Sequence, residues 1–246
     1  VQITNWSSLK IVIKITLKTY LPNFLAIRLN LDSVVPRKPN SNAKCIFYTN
    51  NRKLKREILQ KGWEYVLIEK KINNIESVNS SIQAKEVKFL QMMPELLNPL
   101  FDFDYIIYMD SRRIIDNLDE LILQCKKGIL IRYTPRLKCS VWEEVADAKL
   151  QKRYANNMLK TIEFIEEKIK DSYFHDNRVM NTGVIVYKVN KIETRRLILQ
   201  LCEEVYNACV NLDQPECQIF WCLLSQKYDD IITKINFNAI PTRTGL

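Results

Sequence analysis

The run YIIYMDSRR, residues 105–113, ends an apolar stretch in Asp110 and follows it with Ser111 and Arg112. A strand of this kind delivers a carboxylate to the mouth of a sheet. There a carboxylate can hold a divalent metal, and Arg112 or Arg113 can neutralise phosphate directly. Asp110 can equally cap the turn that follows it. A second group lies in MNTGVIVYKV, residues 180–189, where Asn181 and Gly183 make a tight entry to an apolar strand. A residue without Cβ lets a ligand or a backbone come close, although an ordinary turn would also explain it. In DQPE, residues 213–216, Asp213 and Glu216 have capping-box spacing with Pro215 inside the first turn. A helix tip carrying a carboxylate and the Gln214 amide can also grip ligand hydroxyls. Lys85 and Lys88 lie three apart and share a helix face, where they either meet an anion or remain solvated. His175 is the only histidine and reads as structural, with a metal or phosphate contact near Asn181 left open.

These residues need a scaffold. Residues 9–16, 44–49, 63–69, 105–110, 128–133, 183–189 and 231–235 read as strands. Helices are expected over 53–61, stopped by Gly62, and over 118–125, 150–170 and 193–210. Ser80 with Gln83 suggests a capping box opening a helix that runs to Met93, and a further helix is expected to start at Asp213. Strands alternating with helices imply crossovers and a mainly parallel sheet. Ligands then bind beyond the strand ends, just after residues 16, 49, 110 and 189.

Composition narrows the partners. The 246 residues carry 37 basic and 28 acidic side chains, a net charge of +9 that favours an anionic partner. A nucleic-acid binder would account for the charge, but no basic-aromatic recognition motif accompanies it. The 7 cysteines include no CxxC pair, which argues against a zinc site and reads as reduced, buried thiols in a reducing compartment. No apolar run is long enough to span a bilayer, and Ile11 to Leu17, interrupted by Lys14, is too short and too charged for a signal core. The expected location is the cytoplasm. The chain does not begin with Met, and an anchor upstream is left open.

The motifs also carry a resemblance. Asp110-Ser111-Arg112, Asn181-Thr182-Gly183-Val184 and Asp213-Gln214 resemble, in order, the Asp-x-Asp, Asn-x-Gly-Val and Asp-Gln motifs of GT-A glycosyltransferases similar to glycosyltransferase family 8. A closer resemblance is to the DUF616 group of hexosyltransferase-like domains. It runs through the tract around Cys45 to Asn50, Gly62-Trp63, the Lys85-to-Leu97 helix leading into Tyr105–Asp110, Pro135-Arg136, Val141-Trp142-Glu143-Glu144 and Asp213-Gln214. Small viral capsid-glycosylating transferases are similar in size, which would make the location a host cytoplasm.

The resemblance covers roughly residues 9–235. It implies one GT-A-like, Rossmann-like α/β domain over residues 1–246, with a mainly parallel mixed central sheet flanked by helices. The nucleotide half would span about 9–125 and the acceptor and catalytic half about 126–246. The implied activity is transfer of a hexose from a nucleoside diphosphate sugar, UDP-hexose favoured, to a glycan or glycoprotein hydroxyl. Asp110 would bind Mn2+ or Mg2+ bridging the diphosphate. Thr16 and Tyr20 would sit near the base, and Lys85 or Lys88 on phosphate or ribose. Ser111, Arg112, Asn181 and Gly183 would contact the donor, with Asp213, Gln214 and Asp110 at the reaction centre. The sequence departs from the pattern at Arg112, where a second Asp is expected, and in lacking a C-terminal His. An inactive nucleotide- or glycan-binding module of the same fold is therefore the alternative.

Overall fold

The computed structural model describes residues 35, 38, 43–68, 76–91, 96–98, 103–110, 113–115, 118–135, 139–239 and 242–244. Thr16, Tyr20, Ser111 and Arg112 lie outside the described residues, as does the strand expected over 9–16. The chain divides into two compact units, one of residues up to 67 with 111–116 and 242–246, the other of 68–110 and 117–241.

In the first unit, β1 (Ile46–Thr49) runs parallel to β2 (Glu64–Leu67), in register from Ile46 opposite Glu64 to Thr49 opposite Leu67. The connection holds a 3-10 turn at Arg52–Leu54 and α1 (Lys55–Gln60). The Asn51 side chain accepts from the Lys53 N–H and opens the turn. Gly62, at φ 83°, ends α1. Its N–H donates to Leu59 O and that of Trp63 to Ile58 O, the paired bonds of a Schellman stop. Trp63 packs edge-on to Phe47 at 5.9 Å.

The second unit contains Lys85, Lys88, Asp110, Asn181, Gly183, Asp213 and Gln214. It begins with α2 (Glu76–Glu86), which continues into one turn of π-helix, Val87–Gln91. β3 (Tyr105–Met109) follows. β4 (Arg113–Ile115) belongs to the first unit, where it pairs antiparallel with the late strand Thr242–Thr244. Then come α3 (Leu118–Gln124), β5 (Ile129–Tyr133), α4 (Val141–Lys149), α5 (Lys152–Ala155), α6 (Met158–Lys168), β6 (Met180–Lys188), α7 (Ile192–Asn211), α8 (Cys217–Leu224) and β7 (Ile232–Ile235).

The sheet order is β3-β6-β5-β7. β6 is antiparallel to both neighbours, and only β5 and β7 run parallel. The architecture is α/β with a mixed, helix-flanked sheet. The expectation of a mainly parallel sheet fails here: the segment between β5 and β6 returns the chain in the opposite sense. One consequence is direct. The C-terminal end of β3 meets the N-terminal end of β6, so the mouth lies at residues 110 and 181–183, and residue 189 lies at the far edge beside Asp104.

The core sits between this sheet and α7 and α8. Val184, Ile185, Val186 and Tyr187 are all buried, the unbroken apolar run of a strand covered on both faces. α8, CQIFWCLL, buries every residue but Gln218, and Trp221 stacks on Phe89 of the π turn at 5.9 Å. All seven cysteines are free thiols, six of them buried. Among the described residues no helix is long and apolar enough to cross a membrane.

Three helix boundaries differ from expectation. α2 already runs through Ser80, so Ser80 is not its cap. The helix expected over 150–170 is broken at Asn156 and Asn157, a poor helix-forming pair. Its apolar stripe survives, with Tyr154, Met158 and Ile165 buried. The helix expected from Asp213 starts at Cys217.

Candidate functional site

Antiparallel pairing of β3 with β6 brings the first two motifs together. Met109 lies opposite Val184, and the Asp110 N–H donates to Gly183 O at 2.9 Å. On the other side of β6 the register slips: Ile131 pairs with Ile185, but Arg132 pairs with Asn181. Residues 182–184 therefore bow away from β5, a bulge of the kind that re-aims side chains beside binding sites. The bulge puts the Cα of Gly183 beneath Asp110. A Cβ there would lie 2.9 Å from Asp110 Oδ2 and 3.0 Å from Asn181 Oδ1. The Asn181 side chain folds back, its Oδ1 accepting from the Gly183 N–H at 3.1 Å.

Asp110 is exposed yet oriented. The Tyr108 hydroxyl donates to its Oδ1 at 2.6 Å. Burial, and then the Asp110 charge, hold the Tyr108 phenol well above its ordinary pKa, so it remains a donor at any physiological pH.

Two lysines approach from the end of α2. Lys88, in the π turn, is only 2% exposed. Its Nζ donates to Thr182 Oγ1 at 2.8 Å and lies 3.9 Å from Cys217 Sγ. The ammonium also sits 4.7 Å from the centre of the Tyr108 ring, a cation–π contact. Lys85, one turn earlier, is half-buried. Burial opposes its charge, but Cys217, Tyr154, Glu216 and Asp110 outweigh that and hold its pKa above the ordinary lysine value. Tyr154 is itself pushed up to about 12, chiefly by burial. π turns are frequent at functional sites, and this one sets Lys88 beneath the strand end.

The third motif arrives by a helix stop. At the end of α7 the Asp213 N–H donates to Val210 O, and that of Gln214 to Cys209 O. These are Schellman bonds, with Asp213 at φ 47° where glycine is usual. Asn157 holds it there, its Nδ2 donating to both the main-chain O and Oδ2 of Asp213 at 3.1 Å. A left-handed non-glycine residue costs roughly 1–3 kcal/mol, and such strain gathers at functional sites. The capping-box reading of Asp213 fails for this reason: the N-cap of α8 is Glu216, which accepts from the Gln218 N–H.

Gln214 takes a different part from the one expected. It is fully buried, its Nε2 donating to Tyr154 O at 2.8 Å and its Oε1 accepting from the Glu216 N–H at 3.2 Å. It braces the loop between α7 and α8 and presents no surface to a ligand. At the start of α8, Cys217 Sγ lies 3.4 Å from Thr182 Oγ1 and ties this loop to β6.

Asp110, Asn181, Gly183 and Lys88 thus form one cluster, with Lys85 in the field of Asp110, and Asp213 begins the loop whose Cys217 reaches Thr182. Comparison of the chain with protein-family models, curated proteins and solved structures gives no match. The chemistry of the cluster carries the functional reading.

His175 stands apart. Its Nε2 pairs with Asp229 Oδ2 at 2.9 Å, and its Nδ1 lies 2.9 Å from Tyr173 O. Close by, Arg178 pairs with Asp176 at 2.9 Å and stacks over the Tyr133 ring at 4.2 Å. Sequence reasoning named Glu216 and Thr182 only as parts of their motifs and missed Tyr108 and Cys217 as members of the site. Tyr108 had a signal, being two residues before Asp110 and so on the same strand face.

The implied Mn2+ or Mg2+ fits these residues poorly. Hard cations need several oxygen ligands. Among the described residues no three His, Cys, Asp or Glu side chains converge to supply them. At the mouth Asp110 offers one carboxylate, already accepting from Tyr108 and within the field of Lys85. In sequence the position of a second Asp is Arg112.

Proposed function

We propose that the chain is a glycosyltransferase that moves a hexose from a nucleoside diphosphate sugar, UDP-hexose favoured, to a hydroxyl of a glycan or glycoprotein. The observation that carries this reading is the convergence of an oriented carboxylate, Asp110, with Lys85 and Lys88 on a strand end opened by Gly183. The ordered resemblance of the three motifs to GT-A glycosyltransferases supports it.

In the reaction the acceptor oxygen bonds to the anomeric carbon as the bond from that carbon to the diphosphate oxygen breaks. The electron pair leaves with the diphosphate, and the hydroxyl proton passes to a carboxylate. Stabilising the departing charge is the main catalytic contribution, and fixed cations serve best because they need no reorganisation. Asp110, held by Tyr108, receives the hydroxyls of the donor sugar. Asp213, exposed and oriented by Asn157, is the carboxylate suited to take the acceptor proton. The free thiols accord with a reducing compartment, and in this reading the protein works in the cytoplasm.

A second reading, a binding module of the same fold without turnover, draws on Arg112 and on the buried Gln214. A panel of nucleoside diphosphate sugars, assayed for released nucleoside diphosphate, separates the two. The transferase releases it from one donor, with transfer when acceptor is supplied. Nucleotide binding without release from any donor would favour the module. Absence of binding by every nucleotide would remove both readings.

A further inference from the structure

The positive charge at the strand mouth is built from lysine. We infer that Lys85 and Lys88 neutralise the donor's diphosphate themselves, Lys85 by contact and Lys88 through the floor of the site, with no divalent ion bridging the phosphates. The inference rests on the donor-binding reading above and specifies its electrostatics.

An ammonium group has three donors and no acceptor. At 2% exposure, Lys88 uses one donor on Thr182 Oγ1, and its other contacts among the described residues are a long one to sulfur and those with the Phe89 and Tyr108 rings. It has no ion-pair partner among the described residues. A buried cation without a counter-ion is costly, and an anion bound nearby relieves that cost. Thr182, its partner, stands next to Gly183 at the bulge, so Lys88 lies directly behind the surface that Asp110 overhangs. Water is largely excluded there, and its field on a ligand in front is weakly screened.

Lys85 lies one turn earlier on α2. It is half-buried, shares its helix face with Lys88, and feels Cys217, Tyr154, Glu216 and Asp110. Glu216 and Asp110 are the two carboxylates among these. Their separate origins matter as well: Glu216 is engaged as the cap of α8 and Asp110 by Tyr108. A dication entering beside Asp110 would face two ammonium groups with one carboxylate to hold it. A diphosphate entering the same place meets both ammonium groups.

The test is titration calorimetry with UDP and with inorganic pyrophosphate, each in EDTA and in Mn2+. The wild-type chain should bind both ligands in EDTA, with affinities within about twofold of those in Mn2+. Lys85→Met should weaken both by about tenfold or more, and Lys88→Met should do so from a position that touches neither ligand. Lys85 is not a core residue, so its variant keeps the test valid if Lys88→Met does not fold. Lys85→Arg, which retains the charge, should recover most of the affinity. UDP binding that requires Mn2+, or Lys85→Met binding like wild type, would overturn the inference and leave the transferase reading standing. Failure of UDP to bind under both conditions would overturn both.

Discussion

Asp110→Asn should lower turnover by about a hundredfold or more while the chain stays folded. The side chain keeps its size and still accepts from Tyr108, so the change removes charge and little else. Asp110 is exposed at a strand end, and among the described residues its side chain has one direct hydrogen bond, the 2.6 Å contact from Tyr108. Weakening a bond of that kind costs about 1 kcal/mol of stability, too little to unfold a domain. The loss in rate is far larger, because a carboxylate that orients the sugar acts most strongly in the transition state. Rate and thermal midpoint are measured on the same preparation. A rate fall with an unchanged midpoint is the expected result, and undiminished turnover would remove Asp110 from the reaction.

Gly183→Ala should produce the second large effect, by geometry alone. Gly183 has no positive φ, so its backbone does not call for glycine. What calls for glycine is the 2.9 Å and 3.0 Å approach of Asp110 Oδ2 and Asn181 Oδ1 to the place a Cβ would take. The neighbour that must yield is Asp110, whose Oδ2 is the far end of an exposed side chain. Asp110 is tethered by Tyr108, and Asn181 is folded onto the Gly183 N–H. The methyl group therefore lifts the carboxylate out of place. Displacements of about 1 Å in a reacting array can cost a hundredfold in rate, so kcat/KM should drop by at least about tenfold. Stability should change little, since the strain falls on an exposed side chain. If donor turnover in Gly183→Ala equals that of the wild type, the contact between Gly183 and Asp110 has no functional meaning.

The sequence was informative where physics is local. The run Tyr105 to Met109 is a strand, Gly62 stops a helix, and residues 193–210 fall within α7, as their patterns suggest. Strand direction was not legible. A strand buried on both faces, such as β6, reads as the same apolar run in either sense, and alternation with helices does not reveal that it turns back. The stop at Asp213 was hidden because its left-handed residue is not glycine, the usual signal. The capping box of Ser140 and Glu143 opening α4 was readable from spacing, yet Val141 to Glu144 served only as a mark of resemblance. The candidate residues themselves stood out one by one. Their convergence did not, since Lys88 reaches Thr182 across 94 positions and Cys217 across 129. No local pattern encodes such contacts.

The most direct measurement is a crystal structure of the chain with UDP bound. The account predicts the diphosphate against Lys85 at the end of β3, with Asp110 and Gly183 facing the position of the transferred sugar. A diphosphate seated elsewhere, for example on Arg178 and Lys234 with the Asp110 cluster untouched, would contradict it.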